Sequence, residues 1–177
     1  MPENANMQYD HVDIIVSQWK KEMEELDVAP MAVIGRISRL AGHLDKLLQA
    51  NYSRFSLHGG EFDVLAALRR SGEPYQLTPT ELYSSLMITS GTITNRLDRL
   101  ERVGLISRFP NPQDRRGTLV HLTEKGKTLM DEAYPVHIAY EEYLLTALDG
   151  GEREMLVSLL RKLLLSFENQ GDNIHIG

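Results

Sequence analysis

Thr89-Ser90-Gly91-Thr92-Ile93-Thr94-Asn95-Arg96-Leu97-Asp98-Arg99-Leu100-Glu101-Arg102-Val103-Gly104 is the stretch on which the fold turns. Ile93, Leu97 and Leu100 recur at helical spacing, and Gly104 is the kind of residue at which a helix stops. At the other end, Thr89-Ser90-Gly91 offers a cap. Just upstream, Thr78-Pro79-Thr80-Glu81 is a second helix start: Thr78 suits the N-cap, Pro79 the first helical position and Glu81 the return arm of a capping box. Two helices joined by a tight turn outline a helix-turn-helix. Downstream, residues 105–109 and 117–122 read as strands, with residues 111–116 as the loop of their hairpin. The predicted fold is mostly α with a small β-hairpin wing, a winged helix-turn-helix.

Working outward, Val12, Ile15, Val16, Trp19, Met23 and Leu26 form an apolar stripe at helical spacing, broken between Asp27 and Pro30. A second stripe, Val33, Ile37, Leu40, Leu44, Leu47 and Leu48, predicts a long helix ending near Tyr52. A loop from Arg54 to Gly60 precedes a helix from about Glu61 to Arg70. Beyond the wing, Thr123 looks like the cap of a long helical region that Pro135 kinks and Asp149-Gly150-Gly151 breaks. Met155, Leu156, Leu159, Leu160, Leu163, Leu164 and Phe167 make the last stripe. Such terminal helices are too apolar on one face for water, so they are expected to interleave with a second copy in a homodimer. The division expected is 1–56 for the N-terminal helices (dimerisation and one wall of a ligand pocket), 57–122 for the winged helix-turn-helix and 123–177 for C-terminal dimerisation helices.

Charge narrows the partner. The chain of 177 residues has a net charge of −6, which argues against a generally basic nucleic-acid binder. Yet residues 84–120 hold six arginines against Asp98, Glu101 and Asp114, within an otherwise acidic sequence. A polyanion would bind there. With Ile93, Leu97 and Leu100 turned inward, Thr92, Asn95, Arg99 and Arg102 fall on or toward the far face, and Ser90 joins them at the helix start. Such side chains read base edges and grip phosphates in a major groove. Arg115 and Arg116 are expected at the hairpin tip, suited to a minor groove or a phosphate row, with Asp114 orienting one of them.

Other classes are excluded or disfavoured. The absence of cysteine excludes disulfides, thiolate metal sites and cysteine nucleophiles. Neither a membrane span nor a secretory signal is expected, and a cytoplasmic setting fits. There is no phosphate-cradling glycine loop after a strand and no nucleophile–base–orienter spacing, so enzyme chemistry is not expected. The histidines never fall at metal-ligand spacing, and neither a metal nor a cofactor is expected. The competing reading is a protein-interaction module whose winged helix does not read DNA.

The run from Ser90 to Glu101, Gly104-Leu105-Ile106, Asp114-Arg115-Arg116-Gly117 and Leu122-Thr123-Glu124-Lys125-Gly126 resembles the winged helix-turn-helix of MarR-type transcription factors. The resemblance runs from about Pro30 to Phe167. It implies a homodimer on a pseudo-palindromic double-stranded operator, usually as a repressor relieved by a ligand, with half-sites roughly 34–36 Å apart. The extra N-terminal helix bearing Trp19, together with Phe62-Asp63-Val64-Leu65, Arg96 and Arg108, resembles the urate-responsive (PecS/HucR-like) branch. That resemblance implies Trp19, Asp63, Arg96 and Arg108 as effector residues, answering urate or a related purine; a phenolic acid is the alternative effector. The chemistry is coherent. A planar anionic heterocycle needs an aromatic face and a guanidinium to fork its oxygens, while Asp63 would repel the incoming anion.

Overall fold

The computed structural model describes residues 9–86 and 93–169, with positions 115 and 116 defined for the backbone alone. Seven helices and three strands lie in the described residues. They belong to two compact units, Met1–Phe62 and Asp63–Gly177.

The first unit holds α1 (His11–Glu22) and α2 (Ala29–Ser53). Asp10 starts α1 through a capping box: its carboxylate accepts from the N–H of Val12 (2.7 Å) and Asp13 (3.1 Å), and Asp13 accepts from the Asp10 N–H (3.0 Å). The helix is shorter than its apolar stripe. It stops at Glu22, where the Met23 N–H turns back to the Trp19 carbonyl at 2.9 Å, leaving Met23 and Leu26 beyond it. Val12 is the buried residue of α1 and meets α2 at Gly35, where a Cβ would stand 3.2 Å from Val12 Cγ1. At the far end of α2, the Tyr52 ring stacks on Phe62 with centroids 4.5 Å apart.

α3 (Gly59–Arg70) carries the chain into the second unit, followed by β1 (Gln76–Leu77), α4 (Pro79–Ser85) and α5 (Ile93–Arg102). After these come β2 (Ile106–Asn111), β3 (Asp114–Leu122), α6 (Glu124–Leu144) and α7 (Gly150–Glu168). α3 begins before the expected Glu61, because Glu61 accepts from the His58 N–H at 2.9 Å and Gln49 accepts from the Gly59 N–H at 3.0 Å. Those bonds occupy first-turn donors that would otherwise lack partners. The Thr78–Glu81 capping box forms as predicted, with the Glu81 N–H donating to Thr78 Oγ1 at 3.2 Å and the Thr78 N–H to Glu81 at 2.8 Å. α5 ends at Arg102, before a left-handed Gly104 (φ 75°). The cap expected at Thr89-Ser90-Gly91 lies outside the described residues. Pro135 sits inside α6 without ending it, and Asp149 caps α7 through a box with Glu152.

Two corrections concern the wing. The sheet has three strands, in the order β1-β3-β2, where the sequence showed a hairpin alone. β1 spans just Gln76 and Leu77, opposite His121 and Val120, too short to leave a periodic signal. The hairpin is also longer than expected. Asn111 pairs with Asp114 and its side chain accepts from the Gln113 N–H at 2.9 Å, so the turn closes over Pro112 and Gln113. Arg115 and Arg116 are therefore strand residues of β3 and not the tip. The register jumps there, from Asn111↔Asp114 to Pro110↔Thr118, which leaves residues 115–117 in a bulge.

The core of the second unit comes from α3, α4, α5, β2, β3 and α6, while β1 and α7 bury nothing. Val64, Leu65 and Leu68 of α3, Leu82 of α4, Leu100 of α5 and Val120 of β3 are fully buried, with Ile106, Leu122, Met130 and Ala133 at 2% exposure or less. On α2 and α7 many apolar residues stand open in the single chain. Val33, Ile34 and Leu40 of α2 and Met155, Leu159 and Leu164 of α7 are each more than half exposed, and α7 buries nothing. No helix among the described residues is long and apolar enough to cross a membrane.

Candidate functional site

Recognition requires a helix held still with one face free of the core. α5 meets both conditions. Leu97 and Leu100 are buried, while Thr94, Asn95 and Arg102 are exposed and Arg99 is half-buried. Its C-terminal end is tied down by the start of α6. Lys125 Nζ donates to the Val103 carbonyl at 2.7 Å, and the Thr123 hydroxyl lies 2.8 Å from the Gly104 carbonyl. A cation at a helix C-terminus also favours the helix dipole. The fit leaves no space at Gly126, where a Cβ would run into the Leu105 carbonyl oxygen and stand 2.7 Å from Leu122 Cδ1. α4 is anchored likewise, since the Arg70 guanidinium donates to the Ser85 carbonyl at its end. Ser90 and Thr92, expected at the start of the recognition helix, lie outside the described residues.

Arg108 joins the wing to this helix. Its guanidinium reaches Asp98 at 2.7 Å and the Glu101 carboxylate through Nε at 3.0 Å, and its backbone N–H donates to Glu101 at 3.0 Å. Those hydrogen bonds hold the Glu101 carboxyl below the usual carboxylate range. Asp98 and Glu101 were not expected as site residues, although their i,i+3 spacing puts both on one helix face. The side chains of Arg115 and Arg116 are not described, but their place in the β3 bulge puts them beside the turn over Pro112 and Gln113.

A second charged group centres on Asp63 of α3. Its Oδ2 is buried and has no hydrogen-bond partner. Burial pushes its carboxyl above the ordinary value, against the pull of Arg96, His137 and Arg70. Asp63 and Arg96, two of the expected effector residues, thus feel one another directly. Arg108 is engaged with Asp98 and Glu101, and Trp19, in the first unit, exposes 44% of its surface. Sequence reasoning missed Arg70 and His137. Arg70 was within reach, because it lies two turns beyond Asp63 on the same face of α3. Buried His137, 3.2 Å from Glu141, carries no such signal, since α6 is distant in sequence.

The chain as a whole is similar to known proteins. Residues 57–118, which contain the helix-turn-helix and most of the wing, match the MarR family. The HTH-type transcriptional regulator PecS of Dickeya dadantii (strain 3937) is 39% identical over 155 residues, covering 88% of this chain and 93% of that protein. The chain belongs to the MarR family. It is a DNA-binding transcriptional regulator, similar to PecS, and not an enzyme. The MarR-family fold is also seen in a cysteine-to-serine variant of MarR from E. coli complexed with operator DNA. The two share a TM-score of 0.67 and 29% identity, over 82% of this chain and 97% of that one. A second MarR-like structure is Bordetella bronchiseptica BpsR, described with the regulation of its DNA binding by 6-hydroxynicotinic acid. Its TM-score is 0.60 and its identity 26%, over 72% of this chain and 98% of that one. With the family in place, the alternative of a winged helix that does not read DNA gives way.

Proposed function

We propose that this MarR-family regulator is a cytoplasmic homodimeric repressor, released from a pseudo-palindromic operator by urate or a related purine or aromatic anion. The observation that carries the reading is the position of Asp63. A partly buried carboxylate with an unpartnered oxygen sits in the field of Arg96, a residue of the recognition helix itself. An anion that took Arg96 as its partner would disturb this balance at the helix that reads DNA. To release DNA it must bind the DNA-incompetent form more tightly, and a tenfold loss of operator affinity needs about 1.4 kcal/mol of that difference. One charge-assisted pair supplies this amount.

In this reading residues 57–122 read DNA, and residues 1–56 and 123–177 build the dimer. Ser90, Thr92, Asn95 and Arg99 work in the major groove, with Arg115 and Arg116 of the wing on the adjacent backbone or minor groove. Trp19 supplies a stacking face and Arg96 the anion's partner. Arg108 steadies the wing against α5, and Asp63 is the carboxylate the anion displaces. The exposed apolar faces of α2 and α7 support the dimer, since a lone chain would leave them in water. The effect of 6-hydroxynicotinic acid on BpsR supports a planar heteroaromatic anion as the effector class.

The test is a titration of duplex carrying the DNA upstream of the chain's own gene, with and without urate, and with a phenolic acid beside it. Release by urate at constant salt supports the reading. Release by the phenolic acid alone moves the effector to another class, and tight binding indifferent to both removes the switch.

A further inference from the structure

In the first unit, α1 rests on α2 by its first turn. Val12 is the buried residue of α1, set against Gly35. One residue on, Arg36 spreads its guanidinium across the same turn. Its Nε lies 2.8 Å from Asp10 Oδ2, its Nη2 lies 2.7 Å from Asp13 Oδ1, and its Nη1 donates to the Ala32 carbonyl of its own helix at 2.9 Å. Asp10 and Asp13 are also the two halves of the α1 capping box. One cation therefore grips both carboxylates that start the helix. Its hydrogen bond to Asp13 holds that carboxyl below the usual carboxylate range, so the grip is fully formed at neutral pH.

The rest of α1 is held far less. From His11 to Glu22 every residue but Val12 is exposed or half-exposed, and Trp19 is among the exposed ones. A helix of 12 residues is marginal in water without tertiary support. Trp19 stands about 9 Å along the axis from Asp13. Where the indole points, relative to α2, depends on a hold made at the opposite end of the helix.

We infer that Arg36 is a positioning residue, a latch on Asp10 and Asp13 that docks α1 on α2 and so sets the place of Trp19. The consequence for effector response rests on the reading of Trp19 proposed above; the latch itself does not. An isolated surface ion pair contributes little, but here a single guanidinium bridges two carboxylates already fixed by the helix cap, so less side-chain freedom is lost. All three side chains remain partly exposed, with relative exposures of 34–50%, so salt should weaken the latch.

Trp19 is the single tryptophan of the chain, so its fluorescence anisotropy reports on α1 alone. The full-length protein is compared with Arg36→Gln, Arg36→Lys and Asp13→Asn, each checked for unchanged helix content. Wild-type Trp19 should gain mobility as salt rises to about 1 M, where screening reaches about 3 Å. Arg36→Gln and Asp13→Asn should begin mobile and respond little to salt, with Arg36→Lys between, because a single ammonium nitrogen lacks the planar fork by which Nε and Nη2 reach Asp10 and Asp13 separately. Urate affinity should fall about three- to tenfold in Arg36→Gln and Asp13→Asn, while operator affinity without urate stays unchanged. Wild-type anisotropy and salt response in both Arg36→Gln and Asp13→Asn overturn the latch. A latch that passes this test beside wild-type urate affinity in both variants overturns its link to the effector. If wild-type protein ignores urate, the effector reading falls, and the ligand-free anisotropy still decides the latch.

Discussion

The winged core and the last helix draw on the same residue type and use it in opposite ways. Leu65, Leu68, Leu82 and Leu100 are fully buried, whereas Leu159 and Leu164 of α7 expose 59% and 58% of their surface in the single chain. The winged elements close over their own side chains, so one chain suffices for them. α7 buries none of its apolar residues in the single chain, and the proposed dimer would cover them. On the proposed reading the difference separates a part that reads DNA from parts that pair copies, and each side of it can be broken separately.

The largest effect is expected on the open side. Leu159→Glu with Leu164→Glu should abolish the dimer, since each leucine buried in an interface is worth about 1.5–3 kcal/mol. Sedimentation at micromolar concentration should move from about twice the 20.1 kDa chain mass to the chain mass. A wild type that sediments as a monomer would erase the contrast.

On the closed side, Gly126→Ala should cost about 3 kcal/mol, because the added methyl meets a backbone carbonyl that has no rotamer to escape through. Urea unfolding measures it, and an unchanged midpoint would mean that α6 starts elsewhere. A smaller loss, about 1–2 kcal/mol, is expected for Arg108→Ala, which leaves Asp98 and Glu101 facing each other without their shared cation. Operator affinity should fall with it, because the wing is no longer tied to α5. Lost stability with full affinity would confine Arg108 to a structural part.

How far the sequence reaches follows the same division. Helix starts were legible because their signals are local: Thr78 with Glu81, and Thr123 with the Gly126 N–H, form the caps their spacing predicts. The buried stripe of α5 was legible because Leu97 and Leu100 repeat at helical spacing. What was lost is what depends on partners distant in sequence or on a turn's register. β1 exists because His121 and Val120 offer it an edge, and the wing lengthened because Asn111 pairs with Asp114. Among the site residues, Asp63 and Arg96 could be named from resemblance and Arg70 lay within reach on the same face of α3, but the company of His137 is a product of folding. The same holds for Arg108, whose ion pairs reach back to α5.

The smallest predicted effect is the most specific to the switch. Asp63 is costly to keep charged, because burial raises its pKa more than Arg96, His137 and Arg70 together lower it. A carboxyl whose folded-state pKa lies above its unfolded value binds its proton more tightly in the native state. Its charging therefore costs the fold progressively more stability as pH rises from the ordinary 3.8 toward that raised value. Asp63→Asn should accordingly stabilise the protein by about 1 kcal/mol near neutral pH. The gain should shrink as pH falls from the raised value toward the ordinary 3.8 and vanish well below it, where Asp63 is protonated in both states. Urea midpoints at about pH 7 and about pH 3 give the comparison. A destabilised Asp63→Asn at neutral pH would mean that attraction to its charged neighbours, Arg96 and Arg70 among them, outweighs burial, making Asp63 a structural ion-pair partner. If the stabilised variant also binds urate without releasing operator, the strain at Asp63 is what converts anion binding into movement of α5. If it binds and releases as wild type does, the carboxylate has no part in the switch, and Arg96 alone must carry the signal.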